Sequence, residues 1–126
     1  MMSYEKLNVY QLSLDCVEQC FALLEGPVKG FTDLCSQLKR AIVSVALNIA
    51  EGAGKSGLPD KRRYYEIAKG SAMEAAAVSD ILYRANVIDH KNHANCRALL
   101  EQVICMLTRM CIHLENNIGK ERKRKS

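Results

Sequence analysis

Four times along this 126-residue chain, apolar side chains recur at alternating steps of three and four, and that rhythm constrains the fold more than any other property. The first series is Leu7, Tyr10, Leu14, Val17, Phe21 and Leu24, widened on one side by Val9, Cys16 and Leu23. The third is Tyr64, Ala68, Ser71, Ala75, Val78 and Leu82. The fourth is Cys96, Leu100, Val103, Leu107, Met110 and Leu114, and Leu34, Leu38, Ala41, Ile42, Val45 and Ile49 line one face of the second. Steps of three and four keep a stripe on one side of an α-helix, whereas a half-buried strand needs alternation at every second residue. Two prolines, no Trp and abundant Ala and Leu agree with helices. Four amphipathic helices joined by short connections predict an all-α, up-down-up-down antiparallel four-helix bundle over residues 1–119.

The helix ends follow from local chemistry. The first helix is expected from about Glu5 to Leu24, stopped by Glu25, Gly26 and Pro27. After a loop, Val28 to Phe31, Thr32 or Asp33 caps the second, and Gly52 closes it before the flexible turn GAGKSGLP. The third opens on Pro59 and Asp60, both favourable in a first turn. Asn86 to Asn92 leads to the fourth, with Asp89 as its cap and Gly119 as its stop. Gly70 falls in the middle of the third helix, where glycine costs about 1 kcal/mol relative to alanine, so a close backbone neighbour is expected there.

Placement of charge says more than its total. The formal net charge is +4, and the final KERKRKS alone carries five bases against one acid, leaving the body neutral. Within the body, residues 1–38 are acidic and residues 39–69 basic. The tail, Lys120 to Ser126, has no apolar side chain with which to fold and is expected to be disordered: an arm for RNA or DNA, a contact for an acidic protein, or a solubilising end. Lys55, Lys61, Arg62, Arg63 and Lys69 alternate with Tyr64 and Tyr65 at the start of the third helix. Clustered bases that neutralise phosphates, beside aromatics on which bases stack, are what sequence-independent nucleic-acid binding requires. Tyr64 belongs to the seam, which leaves Tyr65 free to stack. The same residues also suit a solvated helix start.

On the second helix Arg40, Ser44 and Glu51 share a narrow sector, with Asn48 between it and the apolar face. They form either a binding cluster or a structural polar network with the third helix, the latter being the reading that buried polar groups favour because they fix register. No Ser or Cys can be assigned a base and an orienting acid, and the glycines of GAGKSG lack the phosphate-loop pattern. Catalysis is therefore not expected, nor any cofactor or metal.

Of the six cysteines none forms a CxxC pair; Cys16 and Cys20 share a helix face and read as small buried side chains rather than ligands. His90 and His93 read as an exposed pair at a helix start. The opening MMSYEKLNVYQ lacks a secretory pattern and no stretch is apolar enough to span a bilayer, so a cytoplasmic protein with reduced thiols is expected.

The run Gln37, Leu38, Lys39, Arg40, Ala41, then Ser44, Val45, Asn48, Ile49, Ala50, Glu51, Gly52, with Ala68, Gly70, Ser71 and Glu74 downstream, resembles the four-helix bundle proteins encoded in intervening sequences of bacterial 23S rRNA genes. That group is similar to the Avd accessory proteins of diversity-generating retroelements. The resemblance covers about a third of the chain and implies a non-enzymatic, ring-like homopentamer. For Avd-like members it implies basic surfaces that bind nucleic acid and a partner reverse transcriptase. It places Arg40, Asn48, Glu51, Gly70, Ser71 and Glu74 at signature positions. Where the family often has Pro after its Ser-Ile/Val pair, this chain has Ala46.

Overall fold

The computed structural model describes residues 3–25 and 30–126. A 3-10 turn, Ser3–Lys6, precedes four helices: α1 Asn8–Leu23, α2 Thr32–Ala53, α3 Leu58–Arg84 and α4 His90–Lys125. Neighbours in sequence pack together, and α1 also packs on α4, which closes a four-helix bundle. Contacts that descend along α2 as they climb α3 (Gln37 with Glu74, Ser44 with Ser71, Gly52 with Lys61) show that these two run antiparallel. Asp80 with Arg97 and Arg62 with Glu115 show the same for α3 and α4.

The core is built from Leu38, Ile42 and Ile49 of α2, Leu82 of α3, and Leu100 and Leu107 of α4, all fully buried. In α2 and α4 the expected stripes face inward. In α1 and at the start of α3 they are rotated. Val9, Ser13, Cys16 and Cys20 are the buried residues of α1, while Phe21, expected in the seam, is 39% exposed. A stripe one position over was also available, and the small Val, Ser and Cys let α1 sit close. Ser13 is admitted because its hydroxyl donates to the Tyr10 carbonyl at 2.6 Å. In α3 the buried set is Tyr65, Ala68, Ala72, Ala75, Ala76, Val78, Ser79 and Leu82. Tyr65 is therefore the core tyrosine at 3% exposure and Tyr64 the half-buried one, the reverse of the expectation.

Two glycines also exchange roles. Gly52 does not end α2, which runs on to Ala53; it is the point of close approach, since a Cβ there would stand 2.7 Å from Cε1 of Tyr65. Gly70 is exposed, and a Cβ there would meet nothing within 4 Å. No backbone neighbour among the described residues explains it.

Of the expected helix signals, Asp89 caps α4 by accepting the Asn92 N–H at 2.8 Å. At α2 the cap position is Phe31, with no side-chain hydrogen bond, and Asp33 contributes only its charge to the first turn. Pro59 stands second in α3, after Leu58. The Gly26 and Pro27 stop and the residues Val28 and Lys29 lie outside the described residues. The largest departure is at the C-terminus: α4 passes through Gly119 and stays helical to Lys125. Lys, Arg and Glu are good helix formers, a helix already nucleated extends one bond at a time, and terminal bases suit the dipole.

Candidate nucleic-acid interface

The start of α3 and the end of α4 meet at one end of the bundle. Their junction is an ion pair, Arg62 to Glu115 at 3.4 Å, with the Nε of Arg62 buried and unpartnered. From that level α4 continues through Ile118, its last buried residue, and then carries Lys120, Arg122, Lys123, Arg124 and Lys125 on an exposed helix. Two clusters far apart in sequence thus lie at the same end of the bundle.

The individual bases there are not equivalent. Lys61 is occupied: its ammonium donates to the carbonyls of Gly52 and Ala53 at 3.0 and 3.1 Å, capping the end of α2, and burial lowers its pKa. Its ammonium also lies 5.9 Å from the centre of the Tyr65 ring. As a phosphate ligand it would have to abandon a structural role. Arg62 is similarly engaged with Glu115. Lys55 and Arg63 flank the Tyr64 ring at 5.2 and 5.8 Å, and Lys55 makes only a loose 3.7 Å pair with Glu51. An exposed pair of that kind is worth about 0–1 kcal/mol, so both cations are available to an anion. Lys69 lies about 16 Å along α3 from its start, at about 1.5 Å per residue, and so stands apart from the end surface. It is near enough to Cys111 to oppose the rise of that thiol to about 11, which burial and Glu66 cause.

The second group of sequence-predicted residues divides. Ser44 and Ser71 join α2 to α3 through hydroxyls 2.9 Å apart, and the Asn48 amide donates to the Ser44 carbonyl at 2.8 Å and its hydroxyl at 3.0 Å. Because Ser44 Oγ accepts from Asn48, its own proton is free to go to Ser71. The Gln37 amide reaches the Glu74 carboxylate at 3.4 Å further along the same two helices. Arg40 and Glu51 stand outside this network: Arg40 is exposed and Glu51 faces Lys55. Arg40, Asn48 and Val43 instead line a groove of about 420 Å³ with Phe21 and Leu47, the latter 61% exposed.

A third cluster escaped sequence reasoning. Asp80 of α3 accepts from both His93 at 2.7 Å and Arg97 at 2.8 Å, Arg97 also reaches Glu101 at 3.0 Å, and Tyr83 stacks flat on His93 at 4.4 Å. His93 is thus half-buried and paired, correcting the exposed reading. Burial raises the Asp80 pKa, but the hydrogen bonds from His93 and Arg97 outweigh it and hold the carboxyl below its usual range. The signal was present as charges spaced for adjacent helices, but it needs the α3/α4 register to be seen. Where α4 packs on α1, Cys20 and Cys96 bring their sulfurs to 3.6 Å in the core; the six cysteines are free, and only Cys105 is exposed. Among the described residues no three His, Cys, Asp or Glu converge as a metal site, and no helix is long and apolar enough to cross a membrane.

A helical bundle with a hydroxyl–amide seam between its two central helices and a basic end is the class of protein these features define. The profile of the 23S rRNA-intervening sequence proteins matches residues 5–109, and the chain belongs to that family. Among curated proteins nothing matches.

Proposed function

We propose that this chain is a non-enzymatic, cytoplasmic, homo-oligomeric up-down-up-down bundle that binds RNA or DNA through the basic end formed by α3 and α4. The observation that supports the reading is the Arg62–Glu115 contact, which joins the start of α3 to the stretch of α4 just before the Lys120–Lys125 arm, so that Lys55, Arg63 and the arm belong to the same end of the bundle. Phosphates are the natural ligands of unpaired Lys and Arg gathered on one surface, and such contacts position a nucleic acid without reading its bases. Assembly multiplies each basic end, so contacts that are weak singly become avid. Five copies is the number the family resemblance implies, and a reverse transcriptase is the protein partner implied by the likeness to Avd proteins. Support for assembly comes from the outer face of α3, where Ile67, Met73 and Ile81 are 41–55% exposed around the open Gly70.

Fluorescence anisotropy with labelled structured RNA and duplex DNA tests the reading, with light scattering on the same samples. Lys55→Gln with Arg63→Gln is expected to weaken binding several-fold without changing the mass. An oligomer that binds neither nucleic acid at low salt would overturn it. The exposed Leu47 and its groove favour a second reading, a protein-interaction scaffold without direct nucleic-acid function. Retention of a specific protein after nuclease treatment, by an oligomer indifferent to nucleic acid, is its signature.

A further inference from the structure

The basic end has a shape as well as a charge. Residues 119–125 extend α4 beyond its last buried side chain, Ile118, by about 10 Å of free helix at about 1.5 Å per residue. With about 3.6 residues per turn, Lys120, Arg122, Lys123, Arg124 and Lys125 point to all sides of that rod, interrupted only by Glu121. A helix meant to lie on a flat anionic surface needs its bases on one face. Bases all round are useful where phosphates stand on both sides, which is the situation inside a groove.

Resting on the proposed nucleic-acid reading and sharpening it, we infer that the exposed end of α4 enters the major groove of duplex DNA. The B-form major groove is about 12 Å wide and about 8.5 Å deep, room for one helix and close to the arm's length. The A-form major groove of duplex RNA is too narrow and deep for such an entry. Lys55 and Arg63, at the same end of the bundle as the arm, are then free to meet the backbone flanking the groove. The acids at this end are Glu121 within the arm, Glu115 held by Arg62, and Asp60 in the first turn of α3, and the arm itself is exposed along its length. Bases in the last turn also suit the negative end of the helix dipole, and DNA phosphates would relieve their mutual repulsion, so the helix persists in the bound state.

Gly119 allows a test that leaves every charge in place. It sits at the root of the arm, and an added Cβ meets nothing within 4 Å. Gly119→Pro interrupts the helix there, whereas Gly119→Ala stiffens it. Binding to a DNA duplex of about two helical turns and to an RNA duplex of the same sequence is measured for both variants, the parent, and a chain ending at Ile118. The expected result is a parent preference for DNA of about tenfold or more, lost in Gly119→Pro and kept or increased in Gly119→Ala. Ending the chain at Ile118 should reduce the slope of log affinity against log salt by roughly 4, at about 0.9 per phosphate contact. Equal binding of both duplexes, or a Gly119→Pro chain that behaves like the parent, would overturn groove entry and leave the general nucleic-acid reading standing. Failure to bind either duplex overturns both.

Discussion

Three glycines in helices supply a test in which the same substitution carries opposite signs. Replacing Gly with Ala in a helix gains about 1 kcal/mol at most, and that gain is available at Gly52, Gly70 and Gly119 alike. Only Gly52 meets an obstacle: the new Cβ would lie 2.7 and 2.9 Å from two ring carbons of Tyr65 and 3.2 Å from Cβ of Tyr64. The Tyr65 side chain is 3% exposed and inserted among core residues, so it cannot swing aside without disturbing them. Overpacking of that kind costs about 1–3 kcal/mol. Because the propensity gain is common, the difference in unfolding free energy between Gly70→Ala and Gly52→Ala should itself be about 1–3 kcal/mol, with Gly70→Ala the more stable. Urea denaturation followed by circular dichroism measures it, provided the slopes agree. Tyr65→Leu in the Gly52→Ala background should recover part of the loss, a coupling that the single substitutions would not produce. A Gly52→Ala chain as stable as Gly70→Ala would refute this packing of α2 on α3.

Asn48→Leu removes the amide that organises Ser44 and Ser71, and should lower stability by about 1 kcal/mol; it should also loosen assembly, so an unchanged melting temperature and mass would contradict a structural role for the seam. Asp80, whose folded pKa is depressed, contributes stability above its unfolded value near about 4 and loses it as the pH falls through the folded one. Urea stability should therefore decline with acid below about pH 4, and Asp80→Asn should flatten that decline while lowering stability at neutral pH. A thiol-reactive dye should label Cys105 quickly and the other five cysteines only as the chain unfolds, since burial shields them and raises Cys16 to about 12. Rapid labelling of Cys16, Cys20 or Cys96 in the native protein would place the α1/α4 contact in error.

The helices of this chain were legible because their apolar steps of three and four survive in α2 and α4 with little ambiguity. Rotation about the helix axis was not always legible. In α1 two apolar stripes lie side by side, and only packing against α2 and α4 selects the one with Val9, Ser13, Cys16 and Cys20. Adjacent tyrosines in α3 pose the same choice, which Gly52 helps decide by leaving space for the Tyr65 ring. Composition argued for a disordered tail, since nothing in KERKRKS can be buried. It could not register that α4, already formed from His90 to Ile118, needs no further burial to continue through Gly119 to Lys125.

Of the candidate interface, the sequence showed which bases cluster, but not which of them are free. Lys61 and Arg62 stand in the same run as Lys55 and Arg63, yet the first caps α2 and the second pairs with Glu115. Those partners come from other helices, as do the partners of Asp80, so they follow from register rather than from local pattern. The Ser44, Asn48 and Ser71 seam was legible for the opposite reason: polar residues in a narrow sector of α2 face small residues of α3 wherever the two helices pack.

Lysine acetylation footprinting, with and without saturating duplex DNA, tests most directly whether the basic end is the binding surface. The predicted result is protection of Lys55, Lys120, Lys123 and Lys125 on binding, and slow modification of Lys61 in both states because its ammonium is held by the Gly52 and Ala53 carbonyls. Lys39, beside Phe21, and Lys91, in the first turn of α4, should remain reactive throughout. Protection centred on Lys39 or Lys91, with the arm still freely modified, would contradict it.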